Sequence, residues 1–165
     1  LSLHDALPIL GFLRSISFDT ILDVGSGRGV FLIPFMKEFP NVKVTSIDIL
    51  EKRVEFLNEL SDAAFPNMRA EKKDICGQPF RDNTFDVVTM LEVLEHIPEV
   101  ERAVKAAVKI ARKYVVVTVP SKPDNNPEHI HLFTKDKLTN MFQSAGCEKL
   151  HFDGVEGHIF MVAVI

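Results

Sequence analysis

The sequence predicts a three-layer α/β domain built on a mostly parallel β-sheet. Short β-rich runs alternate with helical stretches from residue 20 onward, a glycine cluster closes the first of these runs, and the last two runs are joined only by DGVEG. Alternating strands and helices imply a parallel sheet with helices packed on both faces. A parallel crossover needs about a dozen residues or more, so the strands flanking DGVEG form an antiparallel hairpin at the end of the sheet.

Each element has its own signal. Residues 21–24 (ILDV) form a short buried strand ended by GSGRG, and residues 30–38 form a helix that stops before Pro40. Residues 42–48 (VKVTSID) are a second strand; residues 50–60 then place Leu50, Val54, Leu57 and Leu60 at helical spacing. Residues 68–74 are a weaker strand, and Glu71, Lys72 and Lys73 mark it as a sheet edge. FDVVTML at 85–91 is a strong central strand, and residues 99–113 form a helix with Val100, Val104 and Val108 on its buried stripe. Arg102, Lys105, Lys109 and Arg112 on that helix read as a solvated face. Residues 114–119 (YVVVTV) are the fifth strand, closed by Pro120, and the proline-containing, aperiodic stretch 121–131 is a loop. Residues 135–145 return to a helix with Leu138, Met141, Phe142 and Ala145 on one face and Gly146 as its C-terminal cap. The hairpin strands are 149–152 and 158–164; His151 and His158 flank them as surface or internally satisfied residues. The phenylalanines fall mostly on buried stripes and read as core rather than as a platform for stacking bases.

Bulk properties narrow the class. A length of 165 residues suits one domain. The net charge of −4 argues against a broad nucleic-acid footprint. Cys76 and Cys147 form no close pair, which suggests no disulfide framework and a reducing, cytoplasmic setting. No apolar run reaches the roughly 20 residues of a membrane helix. The first nine residues, LSLHDALPI, resemble the accidental translation of a sequencing-library adapter. On that reading His4 and Asp5 carry no function, residues 1–9 lie outside the fold, and 10–165 is a single, N-terminally truncated domain.

The chemistry concentrates after the strands, where open α/β sheets bind ligands. Asp23 ends the first strand and is followed by Gly25, Gly27 and Gly29 and then a helix, so the backbone can turn sharply and approach a ligand closely. Asp48 ends the next strand, 21 residues after Gly27, where a carboxylate can grip ribose hydroxyls. A dinucleotide loop would need G-x-G-x-x-G, but Val30 stands at the third glycine position. That mismatch disfavours a nicotinamide enzyme.

The observed order, acidic-x-G-x-G-x-G, resembles the first motif of class I S-adenosylmethionine-dependent methyltransferases, and the resemblance runs from about residue 21 to 165. It implies a Rossmann-like, seven-stranded fold with S-adenosylmethionine as cofactor. Residues 23–29, with Asp23, Gly25, Ser26, Gly27 and Gly29, correspond to the part holding the methionyl group. Asp48 is similar to the ribose-binding acid, with Ile49 beside the adenine; Asp74 and Ile75 resemble the pair that meets the adenine amino group and ring. FDVVTMLEVLEHI resembles the fourth motif, in which Leu91 and Glu92 border the cofactor.

The acceptor side is less specific. Glu92, Glu95 and His96 follow the fourth strand, and Glu128, His129 and His131 lie in the loop after the fifth. A metal set of Glu92, Glu95, His96 and one of His129 or His131 resembles the E-x-x-E-H pattern of small-RNA 2′-O-methyltransferases. The expectation here is no required metal: Glu95 and His96 bond the loop, His131 helps to start the last helix, and His96 or His131 lies near the transferred methyl as a positioning group or general base. A small-molecule acceptor is expected, with nucleic acid disfavoured and no membrane association; a non-catalytic cofactor-binding module is the alternative of a different kind.

Overall fold

The computed structural model describes the backbone of residues 3–155 and 157–165, and the side chains of residues 6–154 and 157–165. The order of elements is α1 (Leu3–Arg14), β1 (Thr20–Val24), α2 (Leu32–Glu38), β2 (Lys43–Asp48), α3 (Glu51–Ala64), β3 (Met68–Lys72) and β4 (Phe85–Leu91), then α4 (Val100–Ile110), β5 (Ala111–Pro120), α5 (Lys135–Ser144), β6 (Lys149–Val155) and β7 (His158–Val164). They build a seven-stranded sheet in the order β3-β2-β1-β4-β5-β7-β6. β1 to β5 pair in parallel, and β7 lies antiparallel between β5 and β6. The mostly parallel sheet with a terminal antiparallel hairpin is thus as the sequence predicts. β4 is its middle strand, buried along its whole length, and β3 is an edge.

Helices cover both faces. α4 and α5 press Val100, Val104, Val108, Leu138 and Phe142 onto one face. On the other, α1, α2 and α3 contribute Leu13, Leu32, Phe35, Val54 and Leu57. Leu50 leaves the predicted stripe of α3 and is 49% exposed. It precedes the helix in extended conformation, with its N–H held 2.9 Å from Asp48 Oδ1. At the other end of the chain, Gly146 takes φ +94° behind α5 and lets Cys147 N–H reach the Phe142 carbonyl at 2.9 Å, which closes the helix.

Two sequence expectations need correction. First, the helix predicted over 99–113 stops at Ile110, and Ala111 to Lys113 already belong to β5. The buried carboxylate of Asp86 draws them in: it accepts from Asp19 N–H at 2.8 Å and Thr20 N–H at 3.3 Å, and the Arg112 guanidinium sits at 2.9 Å with Lys113 Nζ at 3.8 Å. Burial alone would raise the Asp86 pKa, yet these N–H groups and cations hold it below the usual carboxylate range. Arg112 therefore neutralises a buried acid instead of extending a solvated helix stripe.

Second, residues 1–9 are not all outside the fold. α1 runs through Pro8, and Ala6 and Ile9 are fully buried in the same cluster as Leu10 and Leu13. Positions 6, 9, 10 and 13 are one helical face, so the apolar periodicity crosses the proposed junction at residue 10 without a break. Leu7, on the opposite face, is 52% exposed. His4 and Asp5 lie outside the described side chains. Among the described residues no helix is long and apolar enough to cross a membrane.

Ile9→Ala should cost about 2–4 kcal/mol, the range for truncating a buried aliphatic side chain. In a domain of this size that lowers Tm by roughly 5–15 °C, and deleting residues 1–9 should cost at least as much. A melting temperature unchanged on deletion would show that α1 does not pack.

Candidate active site

The site is built where the strand order reverses, at the carboxyl ends of β1, β2 and β4. β1 delivers Asp23 and Val24, and the glycine loop then folds back: Gly25 N–H donates to the Ile47 carbonyl of β2 at 2.8 Å. Gly25 has φ +70°, and a Cβ there would lie 2.7 Å from Val93 Cγ2, so only glycine lets the loop pass under the segment after β4. Gly27, at φ +56°, lines the cavity, and a Cβ there would meet nothing. The backbone is bared to whatever occupies that space.

Asp23 is buried and organises this end of the sheet. Ser26 Oγ donates to one of its oxygens and Thr89 Oγ1 of β4 to the other, while Ser46 of β2 joins through Ser26. Burial pushes the Asp23 carboxyl up to about 6; the Ser26 and Thr89 hydroxyls oppose that shift and the charge of Asp48 adds to it. Ser46 and Thr89 escaped the sequence reading. Their signal was a hydroxyl on an otherwise apolar strand, which is also common without function.

A cavity of about 990 Å³ opens in front of the loop. Asp23, Gly25, Ser26 and Gly27 line it from β1 and the loop, and Asp48 and Ile49 from the end of β2. Asp74 and Ile75 follow β3, and Leu91, Glu92 and His96 follow β4. Gly29 is not among the lining residues; it turns the chain into α2, where its carbonyl accepts from Ile33 N–H at 2.9 Å. Asp48 is buried, and Arg53 Nη1 stands 3.4 Å from its Oδ2. Ile49 is 64% exposed and Ile130 52%, so the cavity mouth presents apolar side chains to solvent. Asp74 also caps the single helical turn Ile75–Gly77, accepting from Cys76 N–H at 2.9 Å. Burial and the neighbouring Asp74 push the Cys76 thiol up to about 11, so it remains a thiol and not a nucleophile.

Glu92 stands at the turn out of β4 with φ +57°, an uncommon conformation for a non-glycine residue. Its N–H donates to Thr118 O at 2.9 Å, which fixes the turn against β5. Its Oε2 lies 3.1 Å from His158 Nδ1, and its Oε1 is buried with no hydrogen-bond partner among the described residues. His158, read from sequence as a surface or satisfied residue, stands within ion-pair distance of a residue lining the cavity.

Beyond Glu92, the turn Leu94–His96 meets the 121–131 loop. The Glu95 backbone carbonyl accepts from Ile130 N–H at 2.9 Å, and His96 Nδ1 lies 3.0 Å from the Glu128 carbonyl; the histidine bonds the loop with its side chain, Glu95 only through its backbone. The Glu95 carboxylate is fully buried, neither oxygen has a hydrogen-bond partner among the described residues, and burial pushes its pKa up to about 8. His131 does not line the cavity: its Nε2 donates to Ile97 O at 2.8 Å, and its ring packs on Phe133. Of the two histidines expected near the transferred methyl, His96 lines the cavity and His131 does not. The four-ligand metal set does not assemble either, because Glu92 turns to His158 and His131 to Ile97.

A profile of the methyltransferase domain family matches residues 5–151. The chain belongs to that family. Its class uses S-adenosylmethionine, and the cavity fits that group: Gly27 leaves room against the bared backbone, and the partnerless Glu92 Oε1 suits a cationic donor. The domain is similar to the ribosomal RNA small subunit methyltransferase G of Exiguobacterium sp., 33% identical over 153 residues, covering 87% of this chain and 63% of that protein. The same enzyme of Bacillus cytotoxicus is 50% identical over 87 residues, covering 47% of this chain and 36% of that one. The chain thus spans less than two thirds of the length of these curated relatives. In fold it is similar to the YcgJ protein of Bacillus subtilis (TM-score 0.83, 13% identity, 98% of this chain and 97% of that one). It is also similar to a SAM-dependent methyltransferase of Aquifex aeolicus (TM-score 0.77, 20% identity, 97% and 90%).

These relatives overturn the expectation of a small-molecule acceptor with nucleic acid disfavoured, since the named enzymes act on ribosomal RNA. That expectation rested on the net charge of −4. A net charge sums the whole surface and does not show where cations gather; Arg28, Arg53 and Lys73 all line this cavity.

The raised Asp23 pKa has a sign that can be tested. Between pH 4 and 6 the unfolded chain has lost this proton and the native state still holds it, so stability falls as pH rises and levels off above 6. The effect is at most about 3 kcal/mol. In urea unfolding at pH 4, 5, 6 and 7, Asp23→Asn should lose less stability across that window than the parent. Parallel curves for the two proteins would show that Asp23 does not titrate there.

Proposed function

We propose that the chain transfers a methyl group from S-adenosylmethionine to RNA of the small ribosomal subunit. The observation that carries this reading is the 33% identity with ribosomal RNA small subunit methyltransferase G over 87% of the chain. The sulfonium of the bound cofactor supplies an already activated methyl group, so the protein has chiefly to bind and orient.

The residues divide this work. The glycine loop and Asp23 receive the methionyl portion, with the Gly27 backbone in close approach and Glu92 Oε1 accepting from a cationic group. Asp48, already turned by Leu50 N–H and Arg53, takes the ribose hydroxyls. Ile49 and Ile75 cover the adenine faces, and Asp74 meets its amino group. The exposed apolar rim excludes water from the ring, while Arg28, Arg53 and Lys73 are the cations available to phosphate.

By calorimetry, S-adenosylhomocysteine should bind and NAD should not. Asp48→Ala should weaken binding by about 1–3 kcal/mol through loss of a charged hydrogen-bond acceptor. Equal affinity in a folded variant would remove Asp48 from the site.

The acceptor is tested by incubating the protein and tritiated S-adenosylmethionine with naked small-subunit RNA, intact small subunits and large-subunit RNA. Label is expected in small-subunit RNA, and nucleoside digestion then identifies the modified atom. Label confined to small metabolites in a parallel panel, with none in RNA, would reject the assignment.

A further inference from the structure

We propose that Glu95, His96 and His129 form a binding site for one divalent first-row transition ion at the wall of the cofactor cavity. One ligand atom from each residue lies within 4.8 Å of the other two. His96 Nε2 and Glu95 Oε1 are 3.9 Å apart. Ligand atoms about 2.1 Å from a shared ion stand roughly 3–3.5 Å from each other, so small side-chain rotations close the set.

The protonation pattern of the two imidazoles suits the role. A carbonyl oxygen can only accept, so His96 Nδ1, 3.0 Å from Glu128 O, carries the proton and its Nε2 keeps a lone pair. His129 Nδ1 lies 2.7 Å from Asp124 Oδ2, which fixes the same tautomer and leaves its Nε2 as the donor atom. A carboxylate or carbonyl behind the far ring nitrogen is the usual support for a metal-bound histidine. Asp124 is itself anchored, because its other oxygen accepts from Asn126 N–H at 2.9 Å. The two rings meet edge to face with centroids 4.7 Å apart, and a ligand atom of each lies within 4.8 Å of one from Glu95.

Glu95 is the independent observation that asks for a cation. Its side chain is fully buried and, among the described residues, neither oxygen has a hydrogen-bond partner, a state that folded proteins avoid. The segments are already locked in position, since the Glu95 carbonyl holds Ile130 N–H at 2.9 Å and His131 N–H at 3.3 Å. One carboxylate and two imidazoles favour zinc, manganese, iron(II) or cobalt(II) over magnesium or calcium, which prefer all-oxygen sets. Three protein ligands leave coordination positions for water or a hydroxyl, and His96 and Glu128 put the site against the cavity. This set differs from the four-ligand pattern suggested by the sequence in leaving out Glu92, and of the two histidines offered there it takes His129. The proposal does not depend on the nature of the methyl acceptor.

The test uses the full chain, stripped with a chelator and dialysed, then titrated with cobalt(II) under visible spectroscopy and with zinc by calorimetry. One equivalent of cobalt should bind with d–d absorption bands, and zinc should displace it. His129→Ala and Glu95→Gln should each weaken binding at least tenfold, and Asp124→Asn by about ten- to hundredfold through the supporting hydrogen bond. His151→Ala, which removes an exposed imidazole elsewhere, should bind like the parent. Melting curves without metal check folding, and His129→Ala decides if Glu95→Gln fails to fold, since His129 lies in a loop. Absence of saturable binding, or binding that survives His129→Ala unchanged, would overturn the proposal.

Discussion

Asp23 carries a carboxylate into the middle of the sheet, where water does not reach it, and two hydroxyls answer it from separate segments. Thr89 comes from β4 and Ser26 from the glycine loop, with Ser46 of β2 completing the chain. A buried carboxylate without such donors would be expelled or protonated, so its burial is tolerable only when three strands and the loop stand in one register. The same register sends Gly25 N–H to Ile47 and brings Gly25 against Val93. Loop, strands and the segment after β4 are thereby fitted to one another before any ligand arrives.

The opposite end of the sheet repeats the theme with charge. Asp86 sits at the start of β4 and collects N–H groups from the approach to β1 and cations from β5. β4 is thus held at one end by Asp86 and, near the other, by Thr89, with an apolar run between them facing both helical layers. A rigid central strand is what allows the residues immediately after it to adopt costly geometry. Glu92 keeps a left-handed backbone, and Glu95 keeps a carboxylate in a buried place, because the strand and the clamped 121–131 loop leave them no alternative.

Much of the fold was legible because its signals are local. The βα alternation, the edge character of β3, the stripe on α4 and the Gly146 cap each follow from periodicity or one turn residue. The glycine loop and the acids at 23, 48 and 74 were legible for the same reason, since strand ends and their spacing are read along the chain. The boundary at Ile110 was not, because Arg112 answers an acid 26 residues away that no helical or strand period reveals. The packing of Ala6 and Ile9 follows from the apolar helical face they share with Leu10 and Leu13, a periodicity the sequence carries but its resemblance to a foreign segment obscures.

The sequence by itself determined the order of strands and helices, the turn where a cofactor can approach the backbone, and the acids at the strand ends. These depend on residues a few positions apart, whose geometry the chain itself imposes. Tertiary structure alone decided the partners: His158 for Glu92, Ile97 for His131, and Asp124 for His129 in front of Glu95. Each pairing joins segments that meet only after the sheet has closed. Side chains with several acceptable neighbours along the chain were then sorted by distance, burial and the need of each polar group for a partner.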